Sequence, residues 1–143
     1  MNLYESIKTN LKEDERRDKK IKKNENLFNI FNKYFERNAE RDSDGTVYGT
    51  RVDDFYWNYG PLRIIARAWG ANTKIDTLKA LPKYNSELEY DIPSEVFEKF
   101  PNYETFGIFQ KRNGKDFTED EVIQFKNKCD EFIDAWNKEL NSR

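Results

Sequence analysis

Residues 64–81 read IIARAWGANTKIDTLKAL, and the spacing predicts two short helices around a turn. Pro61 suits the first turn of a helix, where its missing N–H would go unpaired anyway. Leu62, Ile65, Ala66 and Trp69 then share a helical face until Gly70, a residue that commonly ends helices. A second helix is expected from Thr73 to about Leu81, stopped by Pro82, which cannot continue it.

Downstream, residues 83–104 contain two proline-marked transitions, with SEVFEKF between Pro93 and Pro101 expected as a two-turn helix capped by Ser94. Asn113-Gly114 between β-compatible residues predicts a type I′ hairpin, because that turn needs positive φ at both central positions. Thr118-Glu119-Asp120-Glu121 is a capping box, followed by one apolar stripe of Val122, Phe125, Cys129, Phe132, Ile133, Trp136 and Leu140. A closing helix over 119–140 follows from that pattern.

Upstream, Asp42 to Gly45 predicts a turn, TVYGTRV (46–52) one short strand, and DDFYWNYGP (53–61) a ring-rich connection ended by Gly-Pro. Leu27, Ile30, Phe31, Tyr34 and Phe35 recur at helical spacing. Before them, residues 12–26 offer only Ile21 as an apolar side chain among acid-before-base pairs at i,i+4, the pattern of a solvated helix. Leu3, Ile7 and Leu11 mark a first helix, with a break expected near Asn24 to Asn26. The fold class is α+β: a charged N-terminal helical region (1–41) and a compact region (42–143) in one domain, with helices at both ends packed on a small antiparallel sheet.

Composition narrows the function. The chain has 143 residues, 36% charged and 15% aromatic, so a small ring-rich core under a densely charged surface is expected. Residues 1–41 carry eleven Lys/Arg against eight Asp/Glu, whereas residues 84–143 carry eight against fourteen. The absence of His removes the commonest acid/base and metal ligand, and the single Cys129, on an apolar stripe, reads as a buried thiol. Asp42, Asp44, Asp53 and Asp54 lack the spacing of a calcium loop and suit turns and caps. No nucleotide-binding glycine motif, secretory signal or transmembrane run is seen, so a cytoplasmic protein without cofactor or metal is expected, and not an enzyme.

Two surfaces stand out. Phe55, Tyr56, Trp57 and Tyr59 cannot all face one core on a strand of period two, so at least one ring is expected outside. With Asp54, Arg63 and Arg67 they form the candidate partner-binding set, since Tyr, Trp and Arg dominate interface centres. The second surface is basic: Arg16, Arg17, Lys19, Lys20, Lys22 and Lys23, with Lys74 and Lys79 on the second of the two short helices. Residues 62–81 share the outline of a DNA-binding helix-turn-helix, although Asp76 stands where such motifs carry an aliphatic residue and no Arg, Gln or Asn is placed to read bases. Acids interspersed in the basic run favour a solvated face.

The leading expectation is therefore a protein that binds or inhibits a protein partner by occupying its surface. The alternative is a small DNA-binding protein using residues 62–81, and a carboxylate-only enzyme comes third. Sixteen Lys and fifteen Asn fit AT-rich coding DNA, as in phages and mobile elements, which makes a host-defence antagonist of the anti-CRISPR type the concrete form of the first. Its partner would then be a nucleic-acid-processing complex in the bacterial cytoplasm.

Overall fold

The computed structural model describes residues 15–70, 74–83, 109–110 and 116–141. Helix α1 covers 15–23, a single turn residue, Asn24, interrupts it, and α2 spans Glu25–Tyr34. The strands are β1 (Glu36–Arg37), β2 (Ser43–Val47), β3 (Thr50–Tyr59), β4 (Leu62–Trp69), β5 (Thr77–Pro82) and β6 (Phe109–Gln110), with a short 3-10 turn over Ala39–Arg41 and helix α3 over Glu119–Asn141. The order β1-β3-β4-β5-β6, with β2 also on β3, makes an antiparallel sheet, and the chain is α+β as its sequence implies. The expected helices at Leu3–Leu11 and after Ser94, and the turn at Asn113-Gly114, lie outside the described residues.

Both ends of the reading hold where local chemistry is strong. Thr118 Oγ1 accepts from the Glu121 N–H at 3.2 Å while Glu121 Oε1 accepts from the Thr118 N–H at 3.0 Å, a reciprocal capping box that starts α3. Val122, Phe125, Cys129 and Phe132 of its stripe are fully buried. The break at Asn24 is also real. Its side chain donates to the Lys20 carbonyl and accepts from the Ile75 N–H, so the residue that interrupts the helix ties it to the segment leading into β5.

The two stretches between these ends differ from expectation. Residues 62–69 and 77–82 are strands, not helices, and Gly70, at φ +58, ends a strand. The register places Leu62, Ile64, Ala66 and Ala68 opposite Tyr59, Trp57, Phe55 and Asp53, all on the face that meets the helices. Arg63, Ile65, Arg67 and Trp69 take the other face, where Ile65 and Arg63 are also buried. Because β4 is central and covered on both faces, its apolar residues do not alternate, and the 3-4 spacing of Leu62, Ile65, Ala66 and Trp69 arises from two strand faces superimposed.

Of the turn expected at Asp42–Gly45, Asp42 caps the 3-10 turn and Ser43 to Gly45 are strand, and TVYGTRV holds its own turn: Tyr48 (φ +50) and Gly49 (φ +76) close the β2–β3 hairpin with the positive-φ pair of a type I′ loop. Asp53 to Tyr59 continues β3 rather than forming a connection. Gly60 (φ +56) followed by Pro61, whose φ is fixed negative, then makes the two-residue β3–β4 turn.

The core is a ring cluster between the sheet and α2/α3. Trp57, wholly buried, is met edge-on by Phe28 at 5.0 Å and Phe31 at 4.8 Å, and its Nε1–H donates to Asn32 Oδ1 at 2.8 Å. Phe28 also meets Phe55 edge-on at 5.2 Å, and Phe31 stacks on Phe125 of α3 at 6.3 Å. Such ring pairs add roughly 0.5–1.5 kcal/mol each beyond the burial of their area.

Candidate interaction surface

The pleat divides the ring-rich strand in two. Phe55, Trp57 and Tyr59 point into the helix-covered core, and Asp54, Tyr56 and Asn58 point the other way. Of the sequence-derived partner set, Phe55 and Trp57 are buried against α2 and offer no surface to a partner. Tyr59 is half-buried beside α3, its hydroxyl donating to Asp130, and burial together with that carboxylate raises its pKa. Tyr56, Arg63, Arg67 and Asp54 share one face, the one opposite the helices, where Asp54 and Arg63 are themselves buried and Tyr56 is half-buried.

That face is organised by charge. Arg67 donates to Asp54 through Nε at 2.7 Å and Nη2 at 3.0 Å, and its guanidinium lies 5.3 Å from the Trp69 ring centroid. The Asp54 hydrogen bond raises the Arg67 pKa although burial opposes it. Trp69 Nε1–H in turn donates to Thr77 Oγ1 at 3.1 Å. A fork-to-carboxylate pair stacked on an indole holds three side chains in one geometry, so this face is rigid before any partner arrives.

The β2–β3 hairpin projects from the same sheet. Gly45, Thr46 and Tyr48 to Arg51 are exposed, with only Val47 half-covered between them. Tyr48 at its tip is, among the described residues, the most exposed large hydrophobic side chain, at 101% relative exposure. Sequence reasoning missed it because TVYGTRV was read as one strand; the available signal was a Tyr-Gly pair between β-branched residues, the slot an Asn-Gly pair would fill.

The basic residues are divided between α1, with Lys74 beside it, and the second sheet face, which carries Lys79. Arg16 donates to Asp44 at 2.7 Å and Asp53 at 3.0 Å, buried Lys20 pairs with Asp53, and Lys74 donates to the Lys23 carbonyl and pairs with Asp116. Arg17 is half-buried, Lys19, Lys22 and Lys23 are exposed on α1, and Lys79 sits opposite Ile65 on the second sheet face. Lys74 and Lys79 stand on no recognition helix. The acidic residues are equally committed: Asp42 binds Arg37, Asp44 binds Arg16 and Arg51, Asp53 binds Arg16 and Lys20, and Asp54 binds Arg67.

Cys129 is buried in the core with its thiol pushed up to about 12 by burial and by Asp130, far from the thiolate form a nucleophile needs. Among the described residues no helix is long and apolar enough to cross a membrane, and no three His, Cys, Asp or Glu side chains are grouped to hold a metal ion. No protein-family model, curated protein or solved structure matches this chain.

Proposed function

We propose that this is a non-enzymatic interaction protein that inhibits a protein partner by occupying its surface, with the β2–β3 hairpin and the adjoining Tyr56/Arg67/Trp69 face as the contact. The observation that carries the reading is Tyr48: a bulky side chain, fully exposed, on a left-handed backbone. That conformation costs an ordinary residue roughly 1–2 kcal/mol. The hairpin turn bears that cost and holds the ring out in solvent, where a partner pocket would receive it. The half-buried Tyr56, Arg67 and Trp69 supply the residue types that dominate interface centres.

The partner class follows from composition. A small chain rich in Lys and Asn fits a phage or mobile element, and a host nuclease complex of the CRISPR type, acting in the bacterial cytoplasm, is the corresponding target. The test is DNA cleavage by purified CRISPR effector complexes with and without the protein. Inhibition that weakens about 30-fold or more in Tyr48→Ala, as expected for an anchor worth ~2 kcal/mol, supports the reading. Absence of inhibition across the effector classes removes the CRISPR assignment, and a partner bound equally well by Tyr48→Ala removes the hairpin as the contact.

A further inference from the structure

The outer edge of β2 is open. Among the described strands β2 pairs with β3 alone, and its residues Ser43 to Val47 match Asp54 to Thr50 one for one, without a bulge. Gly45 and Thr46 are exposed, and a Cβ built on Gly45 would meet nothing within 4 Å. Proteins ordinarily blunt such an edge with Lys, Pro, a bulge or an inward-pointing charge. β2 has none of the first three, and the charge of Asp44 is neutralised within the copy by Arg16 at 2.7 Å and Arg51 at 3.3 Å.

The ladder fixes which backbone groups face that edge. The Gly70 N–H donates to the Arg51 carbonyl at 2.6 Å, so Arg51 turns its backbone toward the end of β4 and away from β2. Hydrogen-bonded and non-bonded pairs alternate along an antiparallel ladder. Thr46, opposite Arg51, and Asp44, opposite Asp53, are therefore the non-bonded positions of β2. Their N–H and C=O groups point to the open edge, whereas Ser43, Gly45 and Val47 direct theirs to β3.

We infer that this edge pairs with the same edge of a second copy, β2 against β2, antiparallel and two-fold symmetric about Gly45. That register sets Asp44 opposite Thr46 on both sides of the axis. These are the residues whose backbone groups face outward, so each pair exchanges both of its N–H···O bonds. Gly45 meets Gly45 at the non-bonded site between them, where opposed Cα atoms come to ~4.5 Å and a glycine lets two backbones approach. Charge selects the same register. Centring on Asp44 would oppose two carboxylates, and centring on Thr46 would run Asp44 onto the Tyr48 turn. Centred on Gly45, each Asp44 faces Thr46 of the other copy, with Arg51 next in that row, so the acid row Asp53–Asp44 runs on into Thr46–Arg51. A contact of one short strand per copy is small, which places the dimer Kd on the order of 10–100 µM.

Sedimentation equilibrium of the full chain from about 1 µM to about 1 mM should show monomer giving way to dimer. In amide exchange over the same range, the Asp44 and Thr46 N–H groups should gain protection with concentration, while that of Gly45, bonded to β3, should not change. Gly45→Lys and Gly45→Asp each oppose like charges across the axis and should weaken the dimer about fivefold or more. Mixed one to one, the two variants oppose unlike charges and should restore it. Circular dichroism establishes that each variant folds, as the open space at Gly45 leads one to expect, and the exchange measurement needs no substitution. A monomer at every concentration overturns the assignment and leaves the edge to a strand of another protein. A dimer that leaves Asp44 and Thr46 exchange unchanged, a dimer as strong in folded Gly45→Lys, or a mixture no stronger than either variant overturns it equally. The chain is measured by itself, so the result is independent of the proposed inhibitory contact.

Discussion

Asp53→Asn removes one charge from the most enclosed ion pair among the described residues and is expected to be a strongly damaging change. Asp53 is 1% exposed and Lys20 4%, and the carboxylate binds both the Lys20 ammonium and, at 3.0 Å, the Arg16 guanidinium. The amide cannot balance the Lys20 charge, and breaking a buried pair from one side typically costs ~3–5 kcal/mol. Against a total stability of ~5–15 kcal/mol this is a large fraction. With a urea slope of about 2 kcal/mol per molar, the unfolding midpoint should fall by roughly 1.5–2.5 M. Lys20→Met should cost less, because Asp53 keeps Arg16, and the double variant Lys20→Met/Asp53→Leu should recover most of the loss, with Arg16 still held by Asp44 at 2.7 Å. Urea unfolding followed by Trp fluorescence gives all three values. An Asp53→Asn variant within about 1 kcal/mol of the parent, or a double variant as unstable as the summed singles, would refute the reasoning that burial makes this pair costly to break from one side.

Three further outcomes follow from the same geometry. Thr118→Ala removes half of the capping box and should lower stability by ~0.5–2 kcal/mol in thermal unfolding, with Thr118→Ser restoring most of it. Burial pushes the Asp44 carboxyl up, but Arg16, with Arg17 and Arg51, outweighs this and holds its pKa below the ordinary value. The unfolded chain therefore binds that proton first on acidification, so the stabilisation is complete above ~pH 4 to 5 and is lost as pH falls through the depressed native value. Arg16→Met should flatten that fall in a pH series of urea midpoints. Cys129, buried with its thiol near 12, should react with a thiol reagent at pH 8 only after urea unfolds the chain, and prompt native-state labelling would contradict its place in the core.

How far the candidate surface was readable depends on which interactions define it. The strand period alone says that four neighbouring rings cannot all point one way, but Arg67 reads from the sequence as a helical residue, and only the β3–β4 register puts it on one sheet face with Tyr56. The same rule could not say which rings go inward. Phe55 and Trp57 were assigned to a partner surface, yet Phe28 and Phe31 of α2 cover them, a contact between residues far apart in the chain. Tyr48 was passed over because its role depends on a turn falling inside what looked like a single strand.

The sequence by itself determined the elements whose signals lie within a few residues: the Thr118–Glu121 capping box, the stripe of α3, and the apolar face of α2. It also determined the class, helices on a small antiparallel sheet. Only the tertiary structure decided residues 62–82. There the same apolar spacing satisfies a helix and a doubly covered central strand, and the choice lies in backbone hydrogen bonds to β3 on one side and between β4 and β5 on the other. A helix closes its bonds to residues four positions away and advertises itself locally, whereas a central strand closes its bonds to other segments. Its identity is therefore settled only when those segments are in place.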